Sequence, residues 1–403
     1  MEKMWIIADD LTGALDTGVK FAKRGVPVKV IPMLDSAVAV DDDAVVTVWN
    51  TDSRHQSAQE AYDRVYMVTR RALQNGIGLL YKKTDSALRG NPGSEIAGMG
   101  DAAGGATVFF APAYPEMNRT VRNGHLYVDE IPVHLTPFGS DRFNPIRDSS
   151  VLTLLRMNNH AQLRRIKPVS EAGSGEVLVF DAMTDKDLDD ALSFAQGQPL
   201  LLAGCAGFAD AVIRRENLPE TGHCPRTGYH NAAVLSGSIH PVSLRQCRKF
   251  GSLQSAVMAL APAQLEMDGF SQTQTCRELI GRALEEYSHC HRLLVTPDPA
   301  AERRSTDDGA RRNSDRNLGR IGKVLMNGTH DTLWILIGGS TLQAVVREQN
   351  CEVLVPMAEP VAGCVLVKTW MNGEEKIIVT KSGGFGTGST LDDLVDLLQA
   401  QAT

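Results

Sequence analysis

Two adjacent carboxylates, Asp9 and Asp10, stand where a short apolar run ends in the segment MWIIADDLTGALDTG. Neighbouring carboxylates repel each other, and aspartate is depleted in strands, so this pair requires compensation. A cationic or metal-bound ligand would provide it. The structural alternative is that one aspartate caps the helix that follows.

A second charged segment, KKTDSALRG, begins at Lys82 and follows another predicted strand. Its cations Lys82, Lys83 and Arg89 suit an anion site that binds a carboxylate or a phosphate. Thr84 adds a hydroxyl, and Asp85 could orient or deprotonate a substrate hydroxyl. The alternative is an exposed loop whose charges cancel.

A third charged segment, NTDSRH, contains Arg54. The guanidinium fork can hold a carboxylate through two parallel hydrogen bonds. A surface arginine or a helix-cap partner is the alternative. Because the segment follows a predicted strand, as those of Asp9 and Lys82 do, the ligand role is favoured.

Three glycine-rich turns lie in the second half: SGS from Ser236, GGST from Gly338 and KSGGFGTGS from Lys381. Glycine lets backbone N–H groups approach a phosphate closely, and a helix behind the turn adds a favourable dipole. None of them matches the G-x-x-x-x-G-K-[ST] or G-x-G-x-x-G pattern. Each alone could be only a tight turn, but three in one half predict a cradle for nucleotide phosphates.

The histidines and cysteines carry no metal signature. The segment HCH at residues 289–291 lacks a matching pair of ligands, so we expect no metal site there. The seven cysteines form no C-x-x-C motif, and their odd number argues against full pairing. The sequence therefore predicts a reduced, cytoplasmic protein.

Short strands alternate with helices in the first half, which predicts an α/β fold with a mainly parallel sheet. Ligands collect at the carboxyl ends of such strands, where the three charged segments lie. The predicted strands are 5–7, 28–31, 44–47, 78–82, 108–110, 177–180 and 199–203, with helices over 18–23 and 58–73. The segment APAYPEMNRTVRNGHLYV is predicted to be turn-rich.

A segment rich in proline, glycine and charge, residues 214–230, suits a linker between two domains, 1–225 and 230–403. The charged segment PDPAAERRSTDDGARRNSDRN is predicted to be a mobile surface segment that leads into a helix. In the second half we predict strands 232–235, 292–296 and 334–337, helices from about 244 and from 391, and a hairpin of 365–370 with 376–380.

The composition excludes several classes of function. The 403 residues are 43% hydrophobic and 22% charged, with a net charge of -7, and they show no basic stripe for nucleic acid. No apolar run is long enough for a membrane span, and the first residues lack the pattern of a signal peptide. The acidic balance still allows anionic substrates, since local lysines and arginines can act against it.

Ordered along nearly the whole chain, these segments resemble the four-carbon acid sugar kinases, which phosphorylate threonate, erythronate and 3-oxo-tetronate. The N-terminal marks are ADDLTGALDTG, KKTDSALRG, APAYPEMNRTVRNGHLYV and, more loosely, PVHLTPF. The C-terminal marks are LSGSIHPVSLRQ, IGGSTLQAVV, EPVAGCVL and TKSGGFGTGSTL. So many ordered segments are specific for the family and less specific for the substrate.

The resemblance implies two α/β domains, each with a mainly parallel sheet flanked by helices, and an active site in the cleft between them. The N-terminal domain would bind the sugar acid and the C-terminal domain ATP. The implied reaction phosphorylates the terminal C4 hydroxyl with ATP and Mg²⁺. D-threonate is the best match among the substrates, and D-erythronate and 3-oxo-tetronate are the alternatives.

Carried over residue by residue, the family's substrate positions fall on Asp9, Arg54, Lys82, Lys83, Thr84 and Asp85. Its nucleotide positions fall on Ser236, Ser238, Gly338, Gly339, Ser340, Thr341, Gly383 and Gly384. Either Asp9 or Asp85 would be the catalytic base. Asp10 would cap the turn or steer Mg²⁺, whose ligands are otherwise left unassigned.

Two residues depart from the family pattern: Leu15 stands where asparagine is frequent, and Ser340 stands where aspartate is more usual. They are the support for a rival class, a sensor that binds a sugar acid and a nucleotide without turnover. A nicotinamide-dependent dehydrogenase is a further rival, against which the absent dinucleotide fingerprint counts. The expected partners are the sugar acid and ATP, without nucleic acid or membrane, and with a homodimer as one oligomeric state.

Overall fold

A computed structural model of the chain describes residues 1–35, 43–141, 143–157, 166–168, 176–221, 224–225, 227–298 and 307–399. The chain forms two compact units, Met1–Thr221 and Gly222–Thr403, called here the N-terminal and the C-terminal unit. No helix among the described residues is long and apolar enough to cross a membrane.

Most strands of the N-terminal unit belong to one parallel sheet. The strands of this unit are β1 (Met4–Ala8), β2 (Val28–Ile31), β3 (Val46–Asn50), β4 (Leu79–Lys83), β5 (Val108–Ala111), β6 (Arg119–Arg122), β7 (His125–Val128), β8 (Ile131–Pro132), β9 (Ile166–Pro168), β10 (Val177–Val179) and β11 (Leu200–Gly204). The sheet order is β2-β3-β1-β4-β11-β5-β10-β9, and β6, β7 and β8 form a separate antiparallel sheet. Every residue of β1 and β4 is buried, as expected when helices cover both faces of a parallel sheet.

Several helices of the N-terminal unit begin at side-chain caps. They are α1 (Leu11–Ala22), α2 (Ala58–Gln74), α3 (Pro92–Ala102), α4 (Val151–Arg156), α5 (Asp185–Phe194) and α6 (Ala206–Arg215). The side chain of Asp10 caps α1, and Ser57 with Glu60 forms a capping box at α2. The predicted strands and helices of this unit are present, with ends shifted by a few residues.

One expectation for this unit was incomplete. The turn-rich segment after β5 also contains the hairpin of β6 and β7, with Asn123 and Gly124 in its turn at φ 50° and 73°. Such a two-residue turn with positive φ matches the twist of a hairpin. The strands are only four residues long, so their alternation is too brief to stand out among prolines and charges.

The C-terminal unit is also built on a mainly parallel sheet. Its strands are β12 (Asn231–Ser236), β13 (Ala256–Leu260), β14 (Arg292–Pro297), β15 (Thr332–Ile337), β16 (Leu354–Val361), β17 (Cys364–Met371) and β18 (Glu374–Lys381). The order is β13-β14-β12-β15-β18-β17-β16, in which the first five strands are parallel and β17 and β16 antiparallel. The predicted hairpin is confirmed, with Asn372 and Gly373 in its turn at φ 52° and 79°.

The helices of the C-terminal unit are α7 (Pro241–Gly251), α8 (Pro262–Glu266), α9 (Gln274–Cys290), α10 (Asp308–Gly328), α11 (Gly339–Glu348) and α12 (Thr390–Leu398). Helix α7 begins at Pro241 rather than near Leu244, because proline suits the first turn of a helix. The predicted mobile segment is wrong from Asp308 onward, where α10 begins. Its apolar positions, Leu318 and Ile321, are buried, which stabilises the helix despite its charge. The part of that prediction at 299–306 lies outside the described residues.

Both units thus confirm the predicted α/β class, a mainly parallel sheet flanked by helices. The core of the C-terminal unit contains Val234, Ile335 and Val379 from three adjacent strands. The predicted linker starts too early, since Arg214 and Arg215 end α6.

Candidate active site

The first three charged segments meet at one edge of the N-terminal sheet. Strand β1 lies between β3 and β4, and Ala8 pairs with Asn50 on one side and with Lys83 on the other. Asp9 therefore leaves the sheet beside the residues that follow β3 and β4. Ser53 N–H donates to the Asp9 carbonyl at 3.0 Å, which holds the two loops together.

Arg54 bridges the paired aspartates. Its Nε donates to Asp9 Oδ2 at 2.7 Å and its Nη1 to Asp10 Oδ2 at 2.7 Å. Its third nitrogen, Nη2, lies 3.7 Å from Asp85 Oδ1. The guanidinium therefore offsets the repulsion between the two carboxylates, and one charged hydrogen-bond donor serves each of them.

Asp10 is the helix cap that the sequence suggested. Its Oδ1 accepts a hydrogen bond from Gly13 N–H at 2.8 Å. A Cβ at Gly13 would lie 2.7 Å from Asp10 Oδ1 and 3.1 Å from Lys83 Nζ, so glycine is required there. Both oxygens of Asp10 are thus engaged by protein groups.

Asp85 is held mainly by its own loop. Arg89 Nη2 donates to Asp85 Oδ1 at 2.8 Å and Arg89 Nε to Asp85 Oδ2 at 3.0 Å. Oδ2 also accepts from Ala87 N–H at 3.0 Å, and Arg89 reaches on to Asp141 at 3.1 Å. Because Arg89 binds Asp85 in this bidentate way, neither oxygen of Asp85 is without a partner.

Lys82 is paired with an acid inside the protein. Its ammonium is fully buried and pairs with Glu95 Oε2 at 3.1 Å, with the Ile7 and Lys83 carbonyls as further acceptors. Ser53 hydroxyl donates to the other oxygen of Glu95. Sequence reasoning missed Glu95; its one signal is a single acidic residue in the otherwise apolar and small first turns of α3.

Lys83 differs from Lys82 in its partners. Lys83 is 5% exposed, and its Nζ donates to the Thr84 carbonyl at 3.0 Å. Among the described residues no carboxylate lies within ion-pair distance of this ammonium. Two oxygens of the same segments, Asp9 Oδ1 and Thr84 Oγ1, are buried without a hydrogen-bond partner. A cation and acceptors are therefore available for a ligand at this edge.

The cations control the protonation of these acids. Burial raises the pKa of Asp9, but the charge of Arg54 and those of the two lysines outweigh it, so its pKa is lowered. Burial acts on Asp85 too, and Arg89 and Arg54 hold its pKa well below the ordinary value. Burial raises the pKa of Glu95, and Lys82 offsets this only in part. Asp9 and Asp85 are therefore carboxylates near neutral pH.

The glycine-rich turns meet at one edge of the C-terminal sheet. They follow β12, β15 and β18, which are adjacent and parallel. Gly237 N–H donates to the Ile337 carbonyl at 3.3 Å, and Gly338 N–H to the Lys381 carbonyl at 3.0 Å. The turn residues that the resemblance assigned to the nucleotide are thus brought together.

Several glycines allow these turns to pack closely. A Cβ at Gly383 would lie 2.7 Å from Ser238 Oγ, and one at Gly237 would overlap Thr341 Oγ1. Gly338 has φ 106°, a conformation that side chains disfavour. It leaves the first N–H groups of α11 without a side-chain cap, so they are available to an anion.

The two departures from the family pattern fall in different surroundings. Leu15 lies in α1 and is fully buried, and Ser340 is exposed at the start of α11. Gly339 and Gly384 lie in the same group of turns, where a Cβ on Gly384 would lie 3.5 Å from His240 Nε2. Ser236 is buried at the end of β12.

Lys381 is a second residue that sequence reasoning missed as a site residue. It ends β18 within the segment KSGGFGTGS and is 2% exposed. Its Nζ donates to the Ser382 carbonyl at 2.8 Å. Its signal in the sequence is a lone cation at the head of a glycine-rich turn.

No group of three or more histidine, cysteine or acidic side chains in the described part of the chain could hold a metal ion. The oxygens of the glycine-rich turns are hydroxyls and carbonyls. Mg²⁺ commonly keeps its waters and binds substrate phosphates with one or two carboxylates. The donors fit Mg²⁺ that arrives with a nucleotide and keeps its waters.

Two family models match the chain. A sugar-binding N-terminal domain matches residues 4–212, and a nucleotide-binding C-terminal domain matches residues 233–391. Each model falls on one of the two groups of loops described above. The fold and the two sites define a two-domain α/β kinase.

Three kinases of four-carbon acids are relatives of this chain. A D-threonate kinase of Salmonella typhimurium is 30% identical over 97% of this chain and 97% of its own length. A D-erythronate kinase of Heliobacterium modesticaldum is 33% identical over 73% of this chain and 70% of its own length. A 3-oxo-tetronate kinase of Methylobacterium radiotolerans is 24% identical over 97% of this chain and 98% of its own length.

Solved structures share the fold. One from Salmonella typhimurium has a TM-score of 0.77 at 20% identity, over 99% of this chain and 100% of its own. One from Haemophilus influenzae has a TM-score of 0.69 at 18% identity, over 98% of this chain and 100% of its own. The two family models and the D-threonate kinase relative show that the chain belongs to the four-carbon acid sugar kinase family. It is an enzyme, and its nucleotide-binding domain implies the use of ATP.

Proposed function

We propose that the enzyme transfers the γ-phosphoryl group of ATP to the terminal C4 hydroxyl of D-threonate, with D-erythronate and 3-oxo-tetronate as the alternative substrates. One observation carries the assignment of the site. Among the described residues of the N-terminal unit, the buried Asp9 Oδ1 has no hydrogen-bond partner and the ammonium of Lys83 has no carboxylate partner. A hydroxy acid offers the two matching groups, a hydroxyl and a carboxylate.

Lys83 and Arg54 bind the substrate carboxylate in this proposal. Two nitrogens of Arg54 are engaged by Asp9 and Asp10, so its Nη2 is the one left for the substrate. Lys83 has no carboxylate to neutralise in the described structure. Lys82 acts indirectly, because its pairing with Glu95 fixes the end of β4.

Asp9 is the better candidate for the catalytic base. Its Oδ1 is free to accept the substrate hydroxyl, whereas both oxygens of Asp85 are held by Arg89. The lowered pKa of Asp9 makes it a weak base. That suits phosphoryl transfer, in which the transition state is loose and the proton leaves late. Asp85 then positions Arg89, and Thr84 Oγ1 contacts the substrate.

The glycine-rich turns of the C-terminal unit bind the nucleotide. Their N–H groups, with the hydroxyls of Ser238 and Thr341, surround the phosphates, and the start of α11 adds its dipole. Mg²⁺ carried by ATP would neutralise charge on the phosphoryl oxygens. The residues of this chain supply the positioning.

The substrate is tested with purified protein, ATP and a panel of four-carbon acids, with ADP release coupled to a nicotinamide readout. The expected result is the highest kcat/KM with D-threonate and a product phosphorylated at C4, as read by ³¹P NMR. A higher kcat/KM with D-erythronate or 3-oxo-tetronate would replace the substrate. Failure with every four-carbon acid, alongside binding of nucleotide, would overturn the proposal.

The homodimer and the cytoplasmic location stay predictions of the sequence. Light scattering coupled to size-exclusion chromatography measures the first, and fractionation of the source cells measures the second.

A further inference from the structure

Lys381 is a buried cation that has no anionic partner in the part of the chain that the structure describes. Lys381 is 2% exposed. Among the described residues its ammonium makes one hydrogen bond, to the Ser382 carbonyl. The titratable groups that act on it are the thiols of Cys364 and Cys247, not carboxylates. Lys82 in the other unit is equally buried, but it is paired with Glu95 at 3.1 Å.

An unpaired ammonium is costly inside a protein. Burial removes its hydration, and without a carboxylate nothing repays that loss. Consistent with this, burial lowers the pKa of Lys381, and the thiols of Cys364 and Cys247 oppose the shift only in part. Where a fold keeps such a group, the compensation commonly comes from a ligand.

A second cation, Arg245, acts near the same turns as Lys381. Burial lowers the pKa of His240, and the charges of Lys381 and Arg245 lower it further. The segments SGS, GGST and KSGGFGTGS contain no aspartate or glutamate. Helices α7 and α11 start at these turns and direct their N-termini to the same edge of the sheet. An anion is therefore the group that this edge lacks.

The position of Lys381 gives it access to that edge. It is the last residue of β18, and its carbonyl accepts from Gly338 N–H at 3.0 Å. Its chain continues into Gly383, which packs against Ser238 and whose carbonyl accepts from Ser243 Oγ at 2.6 Å. The ammonium thus belongs to the same group of turns whose N–H groups are available to phosphates.

We propose that Lys381 binds the phosphate chain of the nucleotide and supplies the cation that the three glycine-rich turns lack. The sequence has no Walker A lysine. Lys381, at the end of a strand, takes the role that this lysine has in a Walker A loop. The inference rests on the proposed function, since it places ATP at these turns. The inference goes beyond the proposed function by naming the side chain that binds the phosphates and not the adenosine part of the nucleotide.

The test is isothermal titration of the full-length chain with ATP, ADP and adenosine. The variant is Lys381→Met, which keeps the apolar stem and removes the charge. The matched control is Lys376→Met on the same strand, where the lysine is partly exposed and paired with Glu374 at 2.8 Å. Lys381→Arg restores the charge, and thermal unfolding without ligand is recorded for every variant.

Lys381→Met is expected to weaken ATP and ADP binding by about 10- to 100-fold, as for loss of a charged hydrogen bond. Adenosine affinity should change by less than about threefold, because adenosine has no phosphate. Lys381→Arg should recover part of the loss, and Lys376→Met should match the wild type. Without ligand, Lys381→Met should unfold at or above the wild-type temperature, since an unpaired charge has been removed.

Three results would overturn the inference: ATP binding within threefold of wild type in Lys381→Met, an equal loss for adenosine, or a variant that fails to fold. The last counts because Lys381 is held to serve the ligand and not the fold. If the wild-type chain binds neither ATP nor ADP, the proposed function fails, and that outcome is distinct from a defect confined to the variant.

Discussion

Arg54 Nε donates to Asp9 Oδ2 at 2.7 Å, while Asp9 Oδ1 is buried and has no hydrogen-bond partner among the described residues. One oxygen of the carboxylate is therefore fixed and the other is left for a ligand. The arrangement orients Asp9 without consuming its capacity to accept a proton. Catalytic carboxylates need this combination of fixed geometry and a free oxygen.

Asp9→Asn should fold and lose turnover. The amide keeps the shape of the carboxylate but cannot accept the proton, so we expect kcat to fall by about 10²- to 10⁴-fold. The measurement is ADP release at saturating sugar acid and ATP. Asp63→Asn, an exposed carboxylate that accepts from Gln59, is the control and should keep wild-type kcat. Near wild-type turnover in Asp9→Asn would remove Asp9 from the role of base.

Lys83→Met should weaken the sugar acid and spare ATP. If Lys83 pairs with the substrate carboxylate, its loss removes one charged hydrogen bond, worth about 1.5–3 kcal/mol. We expect kcat/KM for the sugar acid to fall by about 10- to 100-fold while KM for ATP stays the same. Lys186→Met, on the exposed face of α5, is the control. An equal change in both KM values would contradict the assignment.

Lys82 and Glu95 should stabilise the fold only as a pair. Each is buried beside the other at 3.1 Å, so Lys82→Met alone leaves a buried carboxylate without its cation. Such single changes cost about 3–5 kcal/mol of unfolding free energy. The double variant Lys82→Met with Glu95→Gln should recover much of that loss in urea unfolding. Additive losses in the double variant would show that the two residues do not act as a pair.

The decrease in the free energy of unfolding at acid pH should depend on Asp85. Arg89 and Arg54 hold its pKa well below the ordinary value, so the folded state binds this proton less readily than the unfolded state. Its contribution is therefore complete above the unfolded pKa of about 3.9 and is lost as pH falls toward the folded pKa. In urea unfolding from pH 7 to pH 2, the free energy of unfolding should fall less steeply below pH 4 in Asp85→Asn than in wild type. Parallel curves would contradict the assignment.

Gly383→Ala should weaken nucleotide binding. Its Cβ would lie 2.7 Å from Ser238 Oγ, so the Ser238 hydroxyl or the turn must shift, and either change disturbs the groups proposed to bind phosphate. We expect an increase of about tenfold or more in the dissociation constant of ATP. Gly388→Ala in the same loop is the control, because nothing lies within 4 Å of its Cβ. Equal affinities in the two variants would show that close packing at Gly383 is not needed.

Local signals in the sequence were enough for most elements. The strand before Asp9, the hairpin at Asn372 and Gly373, and the helix cap at Asp10 each depend on neighbours within a few residues. The first half of helix α10 was predicted to be mobile because its charges conceal an apolar stripe whose stabilisation comes from burial against other elements. Local propensity carries no information on that burial.

The residue types at the site were also legible. Adjacent aspartates, a lysine pair and glycine-rich turns stand after strands, and the parallel arrangement brings their ends to common edges. The pattern could not predict which charged side chains form ion pairs with each other. Lys82 and Lys83 are neighbours in sequence, but Lys82 is paired with Glu95, whereas Lys83 has no carboxylate partner among the described residues.

The sequence by itself determined the α/β class, the family and the set of charged and glycine-rich loops. The tertiary structure alone decided which charges neutralise each other inside the protein and which are left for ligands. Successive strand residues point to opposite faces, and the partner of each side chain comes from another part of the chain. Glu95, at the start of α3, and the unpaired Lys381, at the end of β18, became visible only when those parts were brought together.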